Sequence, residues 1–174
     1  MTTTTGTTIT GERADLLHAL AKHRFFLRLT VRDLTDDQAA LRTTASALCL
    51  GGLVKHVTYA EKRWAEFILN GPEAMAGVDE QQAAEHAASF EMSTGDTLAG
   101  LLERYEEVAR RTDEIVAARP DLGASHPLPE APWFEPGARW SARRVLLHII
   151  AETAQHAGHA DIIRESIDGA KSMG

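Results

Sequence analysis

The amino-acid sequence predicts an all-α protein, a four-helix bundle with a long crossover between its second and third long helices. Three observations carry that expectation. Residues 10–34, 50–69, 96–119 and 141–168 each place apolar side chains at helical spacing. No strand-like alternation of any length occurs, and no internal repeat. Stop signals close the later stretches: Asn70-Gly71-Pro72, Pro120 and Gly169.

A chain of 174 residues suits one domain with a continuous core. We expect residues 1–9 to be a flexible threonine-rich tail and residues 10–174 to be that domain. The formal net charge of −7 argues against a nucleic-acid partner, which calls for a basic surface. No apolar run approaches the ~18 residues of a membrane span, so no membrane association is expected. The stretch Met1–Thr8 lacks a basic region followed by an apolar one and does not read as a signal peptide. Cys49 is the lone cysteine, which excludes an internal disulfide and fits a reducing cytoplasm. Within Ala47-Leu48-Cys49-Leu50 it reads as a small buried residue.

In the first long helix, Thr10 is the expected cap, and Leu16, Leu17, Leu20, Phe25, Leu27 and Val31 form the apolar side. His18 and His23 read as surface or stripe-edge residues. Thr35-Asp36-Asp37-Gln38 is a capping box that opens a short helical turn through Leu41. On the second long helix, Leu53, His56, Ala60, Trp64 and Phe67 project to one side. Gly51 and Gly52 near its start are poor helix formers, and they permit close approach of another backbone or of a ligand. The segment from Glu73 to Ser93 reads as the crossover, with one short helix and with His86 facing water. A loop of that length often covers an opening.

The third long helix is expected to be capped by Ser93 or Thr94. Its apolar stripe is Leu98, Leu101, Leu102, Tyr105, Val108, Ile115 and Val116. The segment Asp121 to Arg139 is rich in proline and carries Trp133 and Phe134, with Trp140 just beyond. It is either a plug over one end of the bundle or a wall of a ligand pocket, and the plug is the favoured reading. His126 is expected to be exposed. Ser141 caps the fourth long helix, and Gly169 is its stop.

That fourth helix carries the chemistry. At about 100° per residue, Val145, Ile149, His156, Ala160, Ile163 and Ile167 fall in one sector, with Glu152 inside or beside it. A buried carboxylate needs a cation or a proton. Glu152 and His156 are one turn apart and can grip the same ion, and His56 offers an imidazole from another helix. The metal ligands are therefore expected to be His56, Glu152 and His156. Two imidazoles, one carboxylate and an open position suit catalytic Zn²⁺, although Ni²⁺, Fe²⁺, Mn²⁺ and Co²⁺ accept the same set. His148 lies about 12 Å along the axis from His156, at 1.5 Å per residue, so the two cannot share an ion. His159, on the stripe edge, is an alternative ligand in place of Glu152. His148 and His159 are otherwise candidates for pocket or supporting roles. Arg143 and Arg144 sit in the first turn, where the helix dipole disfavours positive charge. They and Trp133 complete the candidate substrate-binding residues, although ordinary surface placement is the plainer reading of the arginines. Because ligand histidines must be neutral, metal affinity is expected to fall below roughly pH 6.5.

Two blocks carry a family resemblance. One is Leu50-Gly51-Gly52-Leu53-Val54-Lys55-His56 followed by Trp64. The other runs from Arg139-Trp140-Ser141 through His148 and Glu152 to His156-Ala157-Gly158-His159-Ala160-Asp161 and Asp168-Gly169. They resemble the DinB-like superfamily of metal-binding four-helix bundles, and within it the subgroup of mycothiol-dependent enzymes that includes maleylpyruvate isomerase. The resemblance places the family's metal histidine of the second helix on His56. Many members have a histidine where Glu152 stands, whereas the mycothiol-dependent isomerase branch similarly uses a glutamate. That isomerase has a further C-terminal domain, which is not expected within these 174 residues. The resemblance implies a low-molecular-weight thiol such as mycothiol as co-substrate, a small-molecule electrophile as substrate, and a homodimer. The expected activity is metal-dependent thiol transfer or isomerisation. The alternatives are metal-dependent hydrolysis and a non-catalytic metal-binding or damage-response protein.

Overall fold

The computed structural model describes residues 9–75 and 80–173, with the side chains of residues 80–82 left out. Residues 1–8 of the expected tail lie outside the described residues. The chain is mostly helical: α1 (Glu12–Thr30), α2 (Asp36–Ala40), α3 (Leu50–Asn70), a 3₁₀ turn (Gly71–Met75), α4 (Glu80–Ser89), α5 (Leu98–Ala118) and α6 (Ala142–Asp168). Helix α1 packs on α6, and α3 packs on both α5 and α6. No described helix is long and apolar enough to cross a membrane.

Local chemistry sets most element ends. The Thr35–Gln38 capping box is complete, with each side chain meeting the other residue's backbone N–H. Ser141 Oγ accepts from the Arg144 N–H, and Gly169, at φ 79°, ends α6 in the left-handed conformation. Two expected caps are displaced. Gly11, not Thr10, stands at the start of α1 with φ 64° and makes no side-chain cap. Thr97, rather than Ser93 or Thr94, caps α5 through the Gly100 N–H. The reason is Asp96, whose carboxylate accepts from the Ser93 N–H and from Lys55 Nζ, both at 2.9 Å, and so belongs to a turn. Helix α1 also ends earlier than its apolar pattern. The Arg164 guanidinium donates to the carbonyls of Thr30 and Arg32, taking up acceptors that a longer helix would use.

Two short strands, β1 (Ser125–Pro127) and β2 (Arg139–Ser141), pair antiparallel with His126 opposite Trp140. The sequence reading missed them because three residues are too few to show alternation. His126 is half-buried between this hairpin and α3, with its ring 5.8 Å from Phe67, rather than exposed as expected.

The core is divided. One apolar cluster contains Leu16, Leu20, Ala65, Ile68, Ile115, Val145 and Ile149. The other contains Leu27, Val31, Leu53, Val57, Leu101, Ala157 and Ala160. Between them runs a buried polar layer with one or more residues from each long helix: Arg24, Glu61, Thr112, Thr153, and His56 and His156. Burying such groups costs free energy unless each finds a partner, so the waist of the molecule is where its sequence departs from plain bundle chemistry.

The crossover lies directly on α3. A Cβ on Gly52 would overlap the Phe90 carbonyl oxygen, so glycine is required there, as the close-approach reading of Gly51-Gly52 expected. A Cβ on Gly51 would meet only the flexible side chain of Met92. We expect Gly52→Ala to destabilise the fold by about 1–3 kcal/mol, and Gly51→Ala by less, in parallel thermal melts.

Candidate metal centre

The α3 and α6 faces bring His56, Glu152 and His156 together. Each offers one ligand atom, and those atoms lie within 4.8 Å of one another. Glu152 Oε1 is 3.2 Å from His56 Nε2 and 3.2 Å from His156 Nε2. Both imidazoles are buried, at 3% and 8% exposure, while the Glu152 side chain keeps 26%. The site is thus closed on its protein side and open past the carboxylate.

The far sides of the rings define which nitrogens are available. Ser89 Oγ donates to the His86 carbonyl oxygen at 2.6 Å, so toward His56 Nδ1, 2.9 Å away, it can only accept. His56 therefore carries its proton on Nδ1 and presents a bare Nε2. His156 Nδ1 lies 3.4 Å from His159 Nδ1, and donation along that line bares the His156 Nε2 as well. Two lone pairs and a carboxylate oxygen then face one point. Three acceptors do not satisfy one another, and either protons or a cation must lie between them. The donor set fits a divalent cation. When protons rather than a cation occupy that point, the hydrogen bonds they make from His156 Nε2 and then His56 Nε2 hold the Glu152 carboxyl well below the usual carboxylate range, against the opposing effect of burial. It is therefore anionic at neutral pH. Protons and a cation compete for the same atoms, and metal uptake should release protons.

Beside His56 and Glu152 opens a cavity of about 580 Å³, within the range of small-molecule sites. Its walls include Tyr59, Arg63, Trp64, His86, Trp133 and Phe134. The proline-rich segment is thus a cavity wall, which corrects the favoured plug reading. A plug buries its aromatics, whereas Trp133 stays 69% exposed. His148 also lines the cavity, edge-on to the stacked rings of Trp64 and Trp140, at 4.8 and 5.2 Å. Burial lowers its pKa, against Glu152, so it is neutral at pH 7. Arg144 stacks over Trp140 with its guanidinium carbon 4.0 Å from the ring centre. Arg143 pairs with Glu12 on the surface and is not among the cavity walls. His159 backs His156 and does not face the cavity.

Three neighbours of the site were not legible in the sequence as such. His86, expected to face water, remains exposed overall but brings its ring to 5.3 Å from that of His56 and lines the cavity. Its pKa is lowered by burial and by His56. Ser89 is buried on His56, and the Phe90 ring stacks on the imidazole at 3.8 Å and 18°. All three come from the crossover. The one signal for it was the Gly51-Gly52 pair, which marked a close approach without saying to what.

A family model described as mycothiol-S-transferase matches residues 15–169. The chain belongs to that family. The match spans both halves of the candidate centre, the α3 histidine and the α6 pair, and confirms the resemblance read from the two sequence blocks. None of the curated proteins compared with the chain matches it.

Proposed function

We propose that this chain is a metal-dependent mycothiol S-transferase, or an isomerase using the same thiol, built on a DinB-like four-helix bundle over residues 10–174. The observation that carries the reading is the convergence of His56 Nε2, Glu152 Oε1 and His156 Nε2 beside an aromatic-walled cavity that His56 and Glu152 line. Zn²⁺ is the ion we favour, because the donor set leaves a coordination position open. A divalent cation held there favours thiolate over thiol, whose ordinary pKa of about 8.5 leaves it mostly protonated near neutrality.

The protein's own groups do the rest. The three ligands fix the position at which the thiol sulfur arrives. Trp133, Phe134 and Tyr59 shield the electrophile from water and offer flat apolar surface. His148 and His86, both held neutral, stand on the cavity wall where a proton must be accepted or returned. In the transfer a carbon–sulfur bond forms and the thiol proton departs. The electrophile either releases a leaving group with its bonding pair or, if unsaturated, takes up the proton. Arg144, which is not itself a cavity wall, stacks on Trp140 behind the wall residues Phe134 and His148, and is the arginine we assign to a carboxylate on either partner. We also infer a homodimer, on the strength of the resemblance alone.

The test is incubation of the protein with Zn²⁺, mycothiol and a panel of alkylating and unsaturated electrophiles. Thiol consumption that needs both protein and metal is the expected result. Loss of substrate independent of thiol would replace transfer by hydrolysis. Full metal occupancy without turnover would leave a binding protein.

A further inference from the structure

The crossover reaches the metal centre with the Ser89 hydroxyl, beside the stacked ring of Phe90. We propose that Ser89 is a positioning residue that holds His56 in its metal-binding form, so that the crossover helix α4, and not α3 alone, sets the affinity of the site. The inference rests on the reading of His56 as a ligand. Ser89 is buried at 3% exposure. Its hydroxyl proton is engaged by the His86 carbonyl one turn back, at 2.6 Å. What it offers His56 Nδ1 at 2.9 Å is a lone pair.

A neutral imidazole has one proton. With that proton drawn to Nδ1, Nε2 is bare and faces Glu152 Oε1. Without Ser89 the same proton has a better partner on the other side: placed on Nε2, it would point at the carboxylate of Glu152, 3.2 Å away, and block the position a cation needs. The hydroxyl thus opposes the carboxylate's own pull on the His56 proton. The geometry around Ser89 keeps it there. The Phe90 ring lies flat on the imidazole, and Gly52 lets the Phe90 carbonyl sit against α3. Lys55 Nζ ties the segment further along, donating to the Glu91 carbonyl at 3.1 Å and to Ser93 Oγ at 2.8 Å.

The experiment is Zn²⁺ affinity, measured by chelator competition on the full chain at one pH, for the parent, Ser89→Ala, Ser89→Thr and His56→Ala. Ser89→Ala should bind about 10–100-fold more weakly, the usual cost of losing a hydrogen-bond partner of a ligand histidine. Ser89→Thr, which keeps the hydroxyl, should bind as the parent does. Equal affinity of Ser89→Ala and parent, with His56→Ala weakened, would overturn the role of Ser89 while leaving the metal site standing. Equal weakening in Ser89→Ala and Ser89→Thr, matched by an equal drop in metal-free melting temperature, would make Ser89 a packing residue and overturn it too. No difference between His56→Ala and the parent would remove the metal site itself.

Discussion

Glu152→Gln is expected to bind Zn²⁺ at least about 100-fold more weakly than the parent, more than the loss of a supporting partner costs, with its helical content unchanged. The substitution keeps the shape of the side chain and removes its charge. Glu152 is the member that both imidazoles face, with Oε1 3.2 Å from each Nε2. It is also the most exposed of the three candidate ligands, so its loss opens the site rather than collapsing it. A glutamine oxygen can still approach a cation but supplies no net charge to offset the ion's desolvation. His56→Ala should match it in affinity for a different reason, by removing one of the two nitrogens. Isothermal titration with Zn²⁺ in two buffers of different ionisation enthalpy reads both quantities that matter, affinity and protons released. If Glu152→Gln binds as tightly as the parent and releases as many protons, the three atoms do not share an ion.

Arg24→Ala should destabilise the protein by about 3–5 kcal/mol, the cost of leaving a buried charge without its partner. For a chain of this size that is a melting-temperature drop of roughly 10 °C. The Glu61 side chain is fully buried, and its carboxylate receives Arg24 Nη2 at 2.5 Å and Nε at 3.3 Å. Arg24 also reaches Asp113 at 2.8 Å, on the half-exposed edge of α5. One guanidinium therefore joins α1, α3 and α5 at the polar waist, between the two apolar clusters. The double variant Arg24→Met with Glu61→Leu should recover most of the loss, because two apolar side chains of similar volume need no partner. Urea denaturation of the parent and the two variants measures this directly. A single Arg24→Ala variant as stable as the parent would mean that the waist is wetter than its burial indicates.

The two polar features of the waist differ in how they could be read beforehand. Glu152 and His156 stand four apart on a strongly patterned helix, so helical geometry alone places both on the inward face. His56 could be placed the same way on α3. Arg24 and Glu61 obey the same geometry, but long charged side chains more often reach past a core to water, and nothing local distinguishes these two. The proline-rich segment and the crossover were harder still. Trp133, named as a candidate substrate-binding residue although its segment was favoured as a plug, stands at the cavity edge because the hairpin formed by β1 and β2 holds its loop outside the helices.

The sequence by itself determined the helices, most of their stops, and the three residues that converge as a candidate metal centre, because each of these follows from spacing along a single helix or from the chemistry of a cap. Only the tertiary structure decided what surrounds that centre. His86, Ser89 and Phe90 reach His56 from thirty or more positions away along the chain. A contact at that separation has no periodicity to announce it. It depends on how a crossover settles against a helix, and here that is set by the missing side chain of Gly52.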